Sequence, residues 1–338
     1  MVAPLIIHDE RDRPGQQEVV VMLNDFSFTP PEQILEGLKK SGSMPMMASS
    51  APRVASMTAA AQKGTAATPD LNDVKYDAFL ANYRTLADPE VIRVEPGGLV
   101  LLRIINASSM TNFHIDLGRL RGELIAVDGS PIVPQVARRL PIADAQRLDV
   151  RVVVPRKPAA YPILALVAGE RQQTGVVLAA GGGGAIARIS ETAAEPSPAL
   201  TLDLERRLRA AQPLTPRKPD RVYTLDLTGE MASYIWSINN IVWNREVPPL
   251  PVANGERVEL IMINRTGMPH PMHLHGHRFQ VVEIDGSRFG GAVRDTVLVP
   301  PGRRVVVDFD ANNPGLWAFH CHLLYHLEAG MFTTFNYV

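Results

Sequence analysis

In His320-Cys321-His322-Leu323-Leu324-Tyr325-His326-Leu327-Glu328-Ala329-Gly330-Met331, the only cysteine of the 338-residue chain sits between two histidines, and a third histidine and a methionine follow. The run leading into it, Leu316-Trp317-Ala318-Phe319, is apolar and aromatic, which predicts a strand over Leu316-Cys321. A strand sends successive side chains to opposite faces. His320 and His322 therefore share one face and Cys321 takes the other. About fifty residues upstream lies a second cluster, His270-Pro271-Met272-His273-Leu274-His275. His273 and His275 alternate in the same sense and can face one site together, while His270, three residues earlier, can turn elsewhere. The two clusters hold six of the nine histidines in the chain.

A thiolate, two imidazoles and a weak thioether form the ligand set of a blue, or type 1, copper site. Cys321, His270 and His326 are expected to make its trigonal plane, with Met331 as the axial ligand. His273, His275, His320 and His322 remain for a second, histidine-rich site. Structural zinc is the competing reading and calls for a closed four-ligand set. The His-Cys-His alternation and the methionine ten residues after the cysteine favour copper.

The rest of the sequence is built of short β-like runs between turn signals. Glu18-Leu23, Val91-Val94, Leu99-Ile105, Gly122-Val127, Leu148-Val154 and Ile163-Val167 lie in the first half. Val222-Leu227, Arg257-Ile263, Phe279-Ile284, Arg304-Phe309 and Leu316-Cys321 lie in the second. Their spacing predicts an all-β protein of two antiparallel sandwiches. Pro31-Lys40 reads as a short helix, with Ile34, Leu35 and Leu38 at helical spacing. Gly181-Gly184 and the Pro- and Arg-rich stretch after it mark a boundary. This places a first domain at 16–185, a linker at 186–220 and a second domain at 221–338. Within the linker Leu200-Leu208 has helical character, with Arg206, Arg207 and Arg209 on a solvated face. A small, polar insertion at 41–69 carries Met44, Met46, Met47 and Met57. Thioethers suit Cu(I), but methionines in such a segment read first as adaptable loop residues. Ala3-Ile7 reads as an apolar strand with no partner upstream.

A net charge of −1 argues against nucleic acid and anionic membrane surfaces as partners. No apolar run reaches the ~20 residues that cross a bilayer. Pro4, His8, Asp9, Glu10 and Arg11 interrupt any apolar core a signal peptide would need. A lone cysteine excludes an intrachain disulfide.

The paired clusters resemble the C-terminal signature of the multicopper oxidases, the family of laccases, bacterial copper-efflux oxidases and ferroxidases. Arg294-Asp295-Thr296-Val297, Val299-Pro300-Pro301-Gly302 and Asn313-Pro314-Gly315-Leu316-Trp317 fit the same pattern. Asn24-Asp25-Phe26-Ser27 and Asn112-Phe113-His114-Ile115-Asp116 resemble the middle cupredoxin domain of a bacterial subgroup. The resemblance implies two cupredoxin-like Greek-key β-sandwich domains. It implies one-electron oxidation of phenolic, aromatic amine or metal-ion donors at the type 1 copper. O2 would be reduced to water at a trinuclear cluster, with His273 on the type 2 copper and His275, His320 and His322 on the type 3 pair.

The family builds its trinuclear cluster from eight histidines, half of them in His-Trp-His-Gly and His-Ser-His contexts of an N-terminal domain. This chain has neither, and its remaining histidines are His8, His114 and His277. Residues 1–15 are accordingly expected to be a remnant of a first domain that is otherwise missing. A complementing N-terminal domain or an oligomer would have to complete the site; strict two-fold symmetry and unadapted contact surfaces argue against two copies of this chain doing so. A type 1 electron-transfer module and an inactive fragment are the alternative readings. His277 reads as a supporting or solvent-facing residue, His114 as structural, and Asp295 as a support for a ligand or a strand-end residue. Leu327 stands where many relatives place a carboxylate, which leaves Glu328 aimed to the other side. Periplasmic or exported placement is what the family implies.

Overall fold

The apolar runs become strands close to where their pattern places them, because each alternates between a buried and a wetter face, as Arg147–Val153 does along its length. The computed structural model describes residues 3–7, 15–41, 71–181 and 187–338. In these, four sheets stack as two sandwiches. The N-terminal sandwich has a six-stranded sheet, in the order Ala78–Ala81, Gln16–Phe26, Leu99–Asn106, Arg147–Val153, Gly122–Val127 and Ser130–Ala137. Its second sheet has five strands: Val91–Val94, Gln173–Ala180, Ala159–Val167, Phe113–Asp116 and Arg139–Ile142. The C-terminal sandwich repeats the plan. One sheet runs Ile235–Ile238, Arg221–Glu230, Arg257–Asn264, Arg304–Asp310, Phe279–Ile284 and Ser287–Arg288, with Val293–Arg294 paired to Phe279–Ile284. The other runs Leu250–Val252, Phe332–Tyr337, Leu316–Cys321, His270–Leu274 and Thr296–Val299.

The sandwiches are mixed rather than purely antiparallel as expected. Gln16–Phe26 lies parallel to Leu99–Asn106, and Arg221–Glu230 lies parallel to Arg257–Asn264. A crossover through the opposite sheet returns the chain in the same direction, which local alternation cannot reveal. Both sandwiches also carry a bulge at a corresponding strand, between Leu124 and Ala126 and between Val281 and Glu283. Each sandwich has its own apolar core.

Elements of the N-terminal half reach across to the second core. The helix Pro31–Ser41 forms as expected, and its Ile34, Leu35 and Leu38 pack on the C-terminal core together with Val74 and Tyr76. Residues 200–208 form hydrogen-bonded turns rather than a helix, with Arg206 N–H donating to the Leu202 carbonyl and Leu208 N–H to that of Leu204. Leu204 and Leu208 enter the first core and Leu202 the second, so packing on both sides overrides helical propensity. The linker arginines are not simply solvated: Arg206 pairs with Asp285 at 2.6 Å, and Arg209 lies over the Phe289 ring at 5.0 Å. Residues 3–7 make no strand, and Leu5 and Ile7 are exposed. Residues 42–70, which take in the insertion expected at 41–69 apart from its first residue and include its methionines, lie outside the described residues, as does His8.

Two ion-pair groups join the sandwiches. Arg147 of the first donates to both oxygens of Asp295 in the second, at 2.7 and 2.5 Å. Arg294, fully buried, pairs with Asp128 at 2.9 Å and with Glu205 of the linker. Removing one partner of a buried pair leaves an uncompensated charge, so Arg294→Ala should lower the free energy of unfolding by about 3–5 kcal/mol. Denaturant unfolding checks this; a loss below about 1 kcal/mol would show that Asp128 and Glu205 are not dependent on it.

Candidate metal centre

The antiparallel pairing of His270–Leu274 with Leu316–Cys321 sets Met272 opposite Cys321 and His273 opposite His320. After Cys321 the chain enters the short helix Leu324–Glu328, which carries His326 inward. Gly330 then turns it back into the next strand at φ 112°, where a Cβ would lie 2.8 Å from the Trp236 carbonyl oxygen and 2.5 Å from Val242 Cγ1. Only glycine fits that turn.

These turns bring three donors together. Cys321 Sγ lies 3.6 Å from His270 Nδ1 and 3.8 Å from His326 Nδ1, and the two nitrogens are 3.2 Å apart. A metal bonded at ~2.0 Å to nitrogen and ~2.3 Å to sulfur in a trigonal plane needs separations of about 3.7 Å for N···S and about 3.5 Å for N···N. The triangle fits, and all three side chains are fully buried. Burial pushes the Cys321 thiol up and holds His270 and His326 down, with Asp73 opposing the shift of His326. Buried imidazoles held neutral and a soft sulfur are a donor set suited to copper. Met331 is buried in the same core; its carbonyl accepts from Cys321 N–H at 3.1 Å and its N–H donates to the His326 carbonyl at 3.0 Å.

The outward nitrogens of both imidazoles are engaged. His270 Nε2 lies 2.7 Å from Thr266 Oγ1, and His326 Nε2 lies 2.8 Å from Asp73 Oδ2. Trp236 stacks on His326 with centroids 4.0 Å apart. The helix bearing His326 is also held from the N-terminal sandwich. Asp25 accepts from Ser109 and Met110 N–H groups and from the Ser109 and Thr111 hydroxyls. The loop so fixed accepts Leu324 N–H at the Ser109 carbonyl, 2.8 Å away, and Tyr325 N–H at Met110 Sδ, 3.4 Å away.

On the opposite face, four imidazoles gather. His275 Nε2 and His320 Nε2 are 3.0 Å apart; ring centroids of His273 and His275 are 4.8 Å apart, and those of His320 and His322 5.7 Å. His320 Nδ1–H donates to the Cys321 carbonyl at 2.8 Å, which leaves Nε2 bare. Burial takes His320 down to about 3. His322 Nδ1 meets the fully buried Asp144 at 3.1 Å. Burial opposes charge on both, lifting Asp144 to about 6, yet the Asp144 hydrogen bond raises His322. His273 Nδ1 lies 2.9 Å from both the Asp295 carbonyl and Thr296 Oγ1. Burial works against the Asp295 charge, but Arg147 outweighs it and holds the carboxyl below its usual range. His273 and His275 line an open cavity of about 540 Å³ with Leu214, Arg278 and Asn312.

His277 does not face solvent. It is buried, stacked on Tyr337, with Nε2 2.6 Å from the Tyr337 hydroxyl. His114 is buried with Nε2 3.2 Å from the Pro198 carbonyl, and Glu328 is exposed. Sequence reasoning missed Asp73, Asp144, Thr266 and Trp236. Asp144 sits in an ordinary Ala-Asp-Ala turn and Asp73 beside the polar insertion, so neither gives a local signal; both act only through contacts between sandwiches.

Two family models described as multicopper oxidase match this chain, over residues 17–181 and 215–338. Multicopper oxidase MmcO of Mycobacterium tuberculosis is 34% identical over 278 residues, covering 80% of this chain and 52% of that protein. Laccase-1 of Melanocarpus albomyces is 27% identical over 330 residues, covering 80% and 51%. Copper resistance protein A of Escherichia coli is 41% identical over 116 residues, covering 34% and 19%. The chain thus spans about half the length of the first and second of these relatives. Among solved structures, a multicopper oxidase that functions in iron import superimposes with a TM-score of 0.73 at 17% identity, covering 98% of this chain and 67% of that one. A laccase from Botrytis aclada gives 0.70 at 19% identity, covering 95% and 64%. The sandwiches are cupredoxin-like in fold, and the chain belongs to the multicopper oxidase family, whose members are copper-binding oxidoreductases.

Proposed function

We propose that this chain carries a complete type 1 copper site and half the ligands of a trinuclear cluster. His270, Cys321 and His326 would hold the type 1 ion, with Met331 axial; His273 would bind the type 2 copper and His275, His320 and His322 the type 3 pair. Copper in these sites would supply one-electron oxidation of a phenolic, aromatic amine or metal-ion donor and four-electron reduction of O2 to water. The observation that carries the reading is the buried donor triangle of 3.2, 3.6 and 3.8 Å, one residue along the strand from the imidazole cluster.

The protein's own part is positioning and exclusion of water. Cys321 is bonded through the backbone to His320 and His322, and the His320 Nδ1–H···O=C contact with Cys321 at 2.8 Å adds a second link between the sites. Full burial of the triad keeps solvent from the sulfur. The open cavity beside His273 and His275 is where further histidines, from a complementing N-terminal domain or a second chain, would enter. The relatives include a laccase, copper resistance proteins and iron multicopper oxidases, which supports the donor classes. Placement in the periplasm or outside the cell is part of the same proposal and rests on the family resemblance.

Copper loading with visible spectroscopy tests this. The chain should take up about one tightly bound copper, with an intense blue band from the thiolate. Tight copper without that band would overturn the type 1 assignment. Cys321→Ser should abolish the band. His320→Ala, whose ring faces the other site, should keep it; loss of the band in that variant would contradict the division into two faces. On its own the chain should pass single electrons without sustained O2 consumption, as an electron-transfer module would.

A further inference from the structure

Among the described residues, Asp73 is the carboxylate that the N-terminal half places against the donor triad. It lies just after the insertion, beside Val74, which is buried in the C-terminal core. Its side chain is 1% exposed, and its only ion-pair partner among the described residues is His326. Both His326 Nε2, at 2.8 Å, and the Tyr234 hydroxyl, at 2.7 Å, meet the same oxygen, Oδ2. The other oxygen, Oδ1, is buried without a partner.

We propose that Asp73 is the positioning residue of the type 1 site: by accepting the Nε2 proton of His326 it fixes that ring as an Nδ1 donor. The inference rests on the type 1 reading above. A neutral imidazole carries one ring proton. A carboxylate oxygen facing Nε2 draws that proton there and leaves the Nδ1 lone pair aimed at Cys321 and His270. Such partners of ligating histidines set the tautomer and raise ligand basicity.

The two imidazoles are held differently. The Thr266 hydroxyl has acceptors for its own proton in Asn264 Oδ1 at 2.8 Å and the Met268 carbonyl at 3.1 Å. It therefore accepts from His270 Nε2 as a neutral group. His326 instead faces a carboxylate, through the oxygen that also meets the Tyr234 hydroxyl.

The shared use of Oδ2 makes the acceptor role testable. In Asp73→Asn the amide oxygen can occupy the Oδ2 position and accept both protons, while the NH2 group takes the unpartnered Oδ1 position. Asp73→Ala removes the acceptor. Two readouts test the proposal: ¹⁵N-histidine NMR of the copper-free chain and copper affinity. The expected results are an Nε2–H tautomer for His326 in the unsubstituted chain and in Asp73→Asn, loss of that single tautomer in Asp73→Ala, and copper affinity about 10–100-fold weaker in Asp73→Ala. An Nδ1–H tautomer in the unsubstituted chain, or a tautomer and affinity unchanged in Asp73→Ala, would overturn it, leaving Trp236 stacking to orient the ring. Should Asp73→Ala not fold, the His326 tautomer in the unsubstituted chain and in Asp73→Asn decides alone. Absence of a blue band in the unsubstituted chain would instead overturn the type 1 reading, and this inference with it.

Discussion

One antiparallel pairing governs both candidate sites: the strand His270–Leu274 beside Leu316–Cys321, with His273 opposite His320 and Met272 opposite Cys321. Because side chains alternate across a strand, this register sends the sulfur to one side and the imidazoles of His273, His275, His320 and His322 to the other. A slip by one residue would move every donor to the wrong face. The register is held from both flanks, by Thr296–Val299 against the first strand and by Phe332–Tyr337 against the second. The C-terminal sheet is thus a rigid template, while His326, carried by the helix Leu324–Glu328, lies outside it; Thr266 and Asp73 engage the outer nitrogens of His270 and His326.

The N-terminal sandwich offers no residue to the donor triad, yet it shapes the surroundings. Asp25 organises the loop that receives the His326 helix; Asp73 meets His326, and Asp144 meets His322. Arg147 holds Asp295, whose carbonyl faces His273. Imidazoles have two nitrogens and two tautomers, so a metal site built from them needs partners that fix which nitrogen is free. In this protein several of those partners come from the neighbouring sandwich. The domain interface and the candidate metal centre therefore share the same residues, and the buried Arg294–Asp128–Glu205 group fastens the same interface.

Much of the fold was legible because strand alternation and β-branched content are local. Val91–Val94, Gly122–Val127, Phe279–Ile284 and Leu316–Cys321 have the bounds the pattern suggests, and the helix at Pro31 differs by one residue. The parallel pairing of Gln16–Phe26 with Leu99–Asn106 was not legible, since nothing in either strand records the direction of its neighbour. Leu200–Leu208 has helical spacing but is claimed by two cores at once. His277, two residues beyond His275, is drawn inward by stacking on Tyr337 from the last strand.

The sequence by itself determined which candidate donors share a strand face, because Cys321 and the histidines of the two strand runs have only one alternation to follow. It also determined that two β-sandwiches would carry them. Tertiary structure alone decided which nitrogen of each ring is free and which carboxylates sit behind the ligands. Those partners lie 178 residues away for His322 and 253 for His326, and short-range patterns carry no information across such separations. Hydrogen-bond direction depends on the atom that finally faces each ring, and for His322 and His326 that atom comes from outside the C-terminal sandwich.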